Sequence, residues 1–145
     1  LASKTEVKLE KTFTIIKPDA VEKKYSGEIL TAIENAGFKV LGMKFLKLSE
    51  SHAKAFYDIH KERPFFNDLI AFMTRNPVYV MALEKDNAVA DFRKLIGATD
   101  PAKAEAGTIR KRFASNVGEN AIHGSDSPEN ALREIGFFFA ETELI

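Results

Sequence analysis

Val78-Tyr-Val-Met-Ala-Leu83 is an unbroken apolar run. Such a run has no polar face to turn toward water, so it predicts a central strand covered on both faces. The rest of the chain must be arranged around it. Thr12-Phe-Thr-Ile-Ile-Lys17, β-branched and aromatic and stopped by Pro18, predicts a first strand that ends in a Lys-Pro-Asp turn with Lys17 at its mouth. Ser26-Gly27-Glu28 opens a helix with Ile29, Ile33 and Ala36 at i, i+4, i+7, and Gly37 closes it at the C′ position. Phe38 to Leu48 then alternates, with Val40, Gly42, Lys44 and Leu46 on one side and Leu41, Met43, Phe45 and Lys47 on the other. This is the expected longest strand.

Ser49 caps a helix with Ala55, Phe56 and Ile59 inward. After Arg63-Pro64 a second helix places Phe66, Leu69, Ile70 and Met73 at i, i+3, i+4, i+7, so the two form a helical hairpin. Beyond the apolar strand, Asp86 or Asn87 caps a helix carrying Ala88, Phe92 and Leu95, closed by Gly97. Residues 98–119 show no sustained period, and a loop of that length in a compact domain points to binding. The order reduces to a βαββαβ core. That is an α+β fold (an α/β sandwich) of ferredoxin-like type: a four-stranded antiparallel sheet with helices on one face, a helical hairpin insertion and a long loop before the last strand.

The chain's 145 residues, 45% hydrophobic with 12 Phe, suffice for one domain with a full core. Residues 11–145 are read as that domain. Residues 1–10 are read as a polar N-terminal extension, either a vector-derived remnant or a segment that has lost its initiator, and given no function. With no Cys there is no thiolate metal site or cysteine nucleophile, and the composition fits a reducing cytoplasm. Lys+Arg 21 against Asp+Glu 21 argues against nonspecific nucleic-acid binding. No run is long enough to span a bilayer. Any phosphate site must be local.

Asn120-Ala-Ile-His123-Gly-Ser-Asp-Ser127 is where chemistry concentrates. Ala121 and Ile122 make a short apolar approach to His123, Gly124 permits a sharp turn without a Cβ clash, and Ser127-Pro128-Glu129 starts a helix with Pro at its first position. About two turns in, on the face of Asn130 and Ala131, Glu134 can fold back toward the ring. Its carboxylate would hold one ring nitrogen as N–H and leave the other free to attack. From these residues alone a second reading stands beside the first: His123 as a structural histidine, with Glu134 next to Arg133 on a solvated helix face. His52 and His60, at the start and end of a helix, read as structural.

Five blocks taken together decide between the two. Thr14-Ile-Ile-Lys17-Pro18-Asp19-Ala20-Val21, Arg63-Pro-Phe-Phe66, Leu95-Ile-Gly-Ala-Thr99-Asp-Pro101, Gly107-Thr-Ile-Arg110 and Asn120 to Ser127 resemble the nucleoside diphosphate kinases in order and spacing, from about Lys11 to Leu144. The resemblance implies ping-pong transfer of the γ-phosphoryl group from a nucleoside triphosphate such as ATP or GTP to a diphosphate such as ADP, through a phosphohistidine on His123. It implies that Glu134 holds the other ring nitrogen, with Ser125 in the same assembly and Tyr57 close by. Lys17, Arg93, Thr99 and Arg110 would contact phosphates. The base would slip between Phe65 and Val117, and Lys17 and Asn120 would meet the ribose hydroxyls. Contact with a π-face reads no base edge, so specificity is expected to be broad. Mg²⁺ would be the cofactor, carried by the nucleotide phosphates without a dedicated protein site, with Asp126 at most a water-mediated helper. The family implies a homo-oligomer built from dimers, tetramer or hexamer, and the mixed surface of the second strand fits a dimer contact.

Lys111-Arg112 departs from the family pattern, which has a small residue and an acid there. The pair is either solvated or at a subunit contact, with phosphate affinity open to change. Lys24-Tyr25 departs from a common Gly-Leu pair and is assigned no consequence. Rival readings are a nonenzymatic ferredoxin-like nucleotide-binding regulatory module, which would not need His123, Glu134 and converging cations together, and a scaffold or DNA-binding role, against which the balanced charge argues.

Overall fold

The computed structural model describes residues 8–145. In chain order the elements are β1 (Leu9–Ile16), α1 (Pro18–Glu22), α2 (Ser26–Asn35), β2 (Lys39–Leu46), α3 (Glu50–Phe56), α4 (Phe66–Thr74), β3 (Val78–Asp86), α5 (Ala88–Ile96), α6 (Ile109–Phe113), β4 (Ile122–Gly124) and α7 (Pro128–Phe138). The strands form one antiparallel sheet in the order β2-β3-β1-β4. The fold is ferredoxin-like, as the element order implies, with α3 and α4 as the inserted hairpin.

Both faces of the sheet are covered. Phe13, Ile15, Val78, Val80 and Ala82 pack against Ala53 and Phe56 of α3, Ile70 and Met73 of α4, and Ile135 of α7. Ile16, Met81 and Leu83 point the other way, against Ile29 and Ile33 of α2, Phe92 and Ile96 of α5, and Ile109 and Phe113 of α6. The expectation of helices on one face is therefore wrong. The apolar run of β3 already requires two covers, and each buried Phe or Ile contributes about 1.5–3 kcal/mol only when its own face is closed.

Other departures have local causes. β3 spans 9 residues and β2 only 8, so the second strand is not the longest. A bulge between Val40 and Gly42 breaks its alternation, so Leu41 is buried among the residues facing α3, α4 and α7 while Val40 packs on the opposite side. On α3, Ala53 and Phe56 face inward, whereas Ala55 and Ile59 are exposed. Ile59 lies in a separate 3₁₀ turn, Asp58–His60, which ends the helical period. Pro18 opens a short helix, α1, where only a turn was expected. The stretch 98–119 holds a 3₁₀ turn at Pro101–Lys103 and α6.

The N-terminal boundary also moves. Residues 1–7 lie outside the described residues, but Leu9 and Glu10 belong to β1, opposite Asp86 and Lys85. Glu10 has a structural task as well. Asn87, not Asp86, is the N-cap of α5; its φ of 52° is left-handed and its side chain caps nothing. The carboxylate of Glu10 accepts from Val89 N–H at 2.9 Å instead, satisfying an orphan donor at the helix start. Gly37 and Gly97 end their helices with φ of 95° and 87°, as their positions predict.

Candidate active site

β4 sets His123 beside β1. Ile15 faces His123 in the register, and the Thr14 hydroxyl donates to the His123 carbonyl at 2.7 Å. Ser127 caps α7 by accepting from Asn130 N–H, and Pro128 occupies the first helical position. That start fixes the phase of α7, so Ala131, Glu134 and Ile135 turn inward.

Glu134 is buried, not solvated, and its Oε1 lies 2.9 Å from Nε2 of His123. A carboxylate only accepts, so Nε2 carries the hydrogen and the lone pair resides on Nδ1. The same Oε1 accepts from the Ser125 hydroxyl at 2.7 Å, and Ser125 Oγ in turn accepts from Phe13 N–H at 3.2 Å. The imidazole is thus anchored through α7, the β4 end and the β1 backbone. It packs between Phe13 and Phe56, with ring centroids 6.1 and 5.9 Å away, yet its side chain stays 21% exposed and open to a ligand. Arg133, the neighbour of Glu134, turns instead to the carbonyls of Ala55 and Phe56.

A second network is cationic. Lys17 Nζ donates to Asn120 Oδ1 at 2.8 Å, and Asn120 Nδ2 reaches the Thr99 carbonyl at 3.4 Å. Burial first, and Arg110 second, lower the Lys17 pKa to about 8, with Asp19 opposing. Arg110 donates to the carbonyls of Gly97 at 3.1 Å and Ile122 at 2.7 Å, the latter adjacent to His123. Burial and the charge of Arg93 lower its pKa to about 10. Arg93, Thr99 and Arg110 line one groove with Lys94 and Lys103, and Arg93 is exposed although its neighbour Phe92 is fully buried. Cations held close together and partly desolvated will bind polyanions, which restore the lost solvation.

The Tyr57 hydroxyl is buried and unpartnered, and burial together with the Glu134 charge raises its pKa. Phe65 and Val117 are 47% and 54% exposed, on the approach to α4 and in the loop before β4. Neither enters the hydrogen-bonded networks. Asp126 is exposed and accepts from Asn130 Nδ2 at 2.6 Å. Lys111 is exposed and reaches the Pro101 carbonyl at 3.4 Å, and Arg112 lies 3.9 Å from Glu28. Among the described residues no three His, Cys, Asp or Glu side chains form a group that could hold a metal ion. Among the same residues no helix is long and apolar enough to cross a membrane.

Two readings of the motif change. Gly124 lies within β4, and its need is close packing: a Cβ there would come within 3.0 Å of Phe92 and Ile96. Asp19, read from sequence only as part of a turn, is buried and accepts from Ala121 N–H at 3.0 Å. Its partner lies 102 residues along the chain, so no local pattern around Pro18 marks it as an inward anchor.

Residues 10–144 match the model of the family described as nucleoside diphosphate kinase. The chain is 60% identical over 137 residues to the nucleoside diphosphate kinase of Geotalea uraniireducens, covering 94% of this chain and 100% of that protein. It is 61% identical to that of Trichlorobacter lovleyi, covering 94% and 99%. Among solved structures, the Aquifex aeolicus nucleoside diphosphate kinase superposes with a TM-score of 0.92 at 41% identity, covering 94% of this chain and 99% of that one. A halophilic nucleoside diphosphate kinase from Halobacterium salinarum, in complex with CDP, gives 0.90 at 40% identity, covering 94% and 91%.

Proposed function

Because the chain belongs to the nucleoside diphosphate kinase family and is a nucleotide phosphotransferase, we propose that Nδ1 of His123 carries the phosphoryl group between its two substrates. The lone pair of Nδ1 attacks the γ-phosphorus of a nucleoside triphosphate, the bond to the bridging oxygen breaks, and the diphosphate leaves with that electron pair. A second diphosphate then attacks the phosphohistidine and departs as triphosphate, restoring the free ring. The observation that carries this reading is the 2.9 Å contact from Glu134 Oε1 to Nε2, which commits one nitrogen and frees the other.

Phosphoryl transfer depends on positioning and charge neutralisation. Lys17, Arg93, Thr99 and Arg110 are proposed to hold the phosphates, Lys17 and Asn120 the ribose hydroxyls, and Phe65 and Val117 the base. Ser125 orients Glu134, and Tyr57 completes the wall near the ring. The groups around the site are mainly cations, which suits an Mg²⁺ ion held by the nucleotide's own phosphates; when bound, it spreads their negative charge. Asp126 would receive at most a metal-bound water. Exposed Met43 and Phe45 on the edge strand β2 support a homo-oligomer built from dimers, which sedimentation would resolve into monomer, tetramer or hexamer. A cytoplasmic location suits a nucleoside di- and triphosphate enzyme, and cell fractionation tests it. The regulatory-module reading has no observation in its favour.

The test is brief incubation with γ-labelled ATP. The expected product is an acid-labile, base-stable phosphoprotein that delivers its label to added diphosphate, with neither event in His123→Ala. An unlabelled native protein, beside a labelled control kinase, would overturn the reading.

A further inference from the structure

Between Asn120 and His123 the backbone makes an unusual turn. Ala121 has a φ of 73°, and Ile122 N–H donates to the Asn120 carbonyl at 2.9 Å, two residues back. A positive φ at the centre of an i to i+2 hydrogen bond is the rare, strained form of the γ-turn. For an L-residue with a Cβ the conformation costs on the order of 1–3 kcal/mol, so it persists only where its surroundings over-determine it.

Two contacts do so. Asp19 Oδ2 accepts the Ala121 N–H at 3.0 Å, and Lys17 N–H donates to the Ala121 carbonyl at 2.9 Å. Both come from the end of β1 and the start of α1, about a hundred residues away in sequence. Asp19 is 1% exposed, and its Oδ1 has no partner. A buried carboxylate with an unpaired oxygen is an unfavourable way to fill space, and methyl or amide groups would cost less. We propose that Asp19 is a positioning residue: its carboxylate holds Ala121 in the strained turn, and the turn sets Asn120 toward Lys17 on one side and His123 toward Glu134 on the other. The proposal rests on the reading of His123 as the phosphoryl carrier, and adds to it the device that aims the ring.

The experiment compares Asp19→Ala, Asp19→Asn and the double variant Asp19→Ala with Ala121→Gly. Removing the acceptor lets the turn relax and misplaces the ring by a fraction of an ångström to an ångström. The expected result is a kcat lower by about 100-fold. Asparagine keeps an oxygen for the Ala121 N–H and recovers most of that loss. Glycine takes φ near 73° without a Cβ penalty, so the double variant regains about tenfold or more over Asp19→Ala. Because glycine at 121 also relieves strain in the fold, kcat is read per folded enzyme, which a role in stability alone would leave unchanged. Circular dichroism checks folding; should Asp19→Ala not fold, the same comparison is made with Asp19→Leu, which fills the buried site but also lacks the acceptor, and its Ala121→Gly partner. Full activity in folded Asp19→Ala overturns the proposal, as does a double variant no faster than its parent. Labelling of the unsubstituted protein by γ-labelled ATP is read in parallel. Its absence sinks the His123 reading, whereas normal labelling with an indifferent Asp19→Ala sinks only this one.

Discussion

Lys17 donates to Oδ1 of Asn120 across 2.8 Å, joining the end of β1 to the first residue of the γ-turn. The ammonium there is buried, and with its pKa lowered to about 8 it loses its charge at a pH where a solvated lysine would keep it. Phosphate recognition needs the charged form. We expect kcat/KM to fall as pH rises through about 8, and a pH–rate profile of Lys17→Gln to lack that limb. Bound phosphate favours the charged form, so the descending limb of kcat should lie at higher pH than that of kcat/KM. Identical limbs for native and variant proteins would remove Lys17 from phosphate binding.

Glu134 serves His123 and Ser125 with one oxygen. Glu134→Ala leaves Nε2–H without its acceptor and lets the ring change tautomer and orientation. Its kcat should drop by about 100-fold or more, with a smaller change in KM, because the interaction matters most as positive charge develops on the phosphorylated ring. Rapid-quench measurement of phosphohistidine formation checks it. A loss confined to KM would place Glu134 outside the chemical step.

Gly97 has no room for a side chain. Its φ is 87°, and a Cβ would lie 2.5 Å from the Thr108 hydroxyl oxygen, which caps α6 at Lys111 N–H. Gly97→Ala should therefore destabilise the fold by about 1–3 kcal/mol, a lower Tm in thermal denaturation. Because the Gly97 carbonyl and α6 both position Arg110, KM for nucleotides should rise as well.

Phe65 and Val117 are exposed apolar side chains and present no hydrogen-bonding edge to a base. Purine and pyrimidine diphosphates should be phosphorylated with kcat/KM values within about tenfold of each other, and Phe65→Ala should raise KM for all of them to a similar degree. A preference of several orders of magnitude for one base, in steady-state assays across the common diphosphates, would contradict this.

Much of the site is legible in the sequence because its parts are locally encoded. Ser127 and Pro128 set the start of α7, and periodicity then puts Glu134 on the inward face with Ala131. Gly37 and Gly97 mark helix ends by the same logic. What escaped detection depends on partners distant in the chain. Glu10 caps α5 from 79 residues away, and Asp19 reaches Ala121 across 102, so neither role leaves a local periodic trace. The bulge at Leu41 is similar: a single extra residue reverses the inside and outside of a strand whose alternation is otherwise regular. The need for Gly124 likewise lies in Phe92 and Ile96, on another helix.

The pairing of β1 with β4 has a further consequence. Thr14 and His123 are 109 positions apart, and the carboxylate that completes the site follows later still, on α7. Closing a loop of that length carries an entropic cost that the β1–β4 contacts must offset. A chain cut short before α7 would keep the strand that carries His123 but leave the imidazole with no acceptor for its Nε2–H.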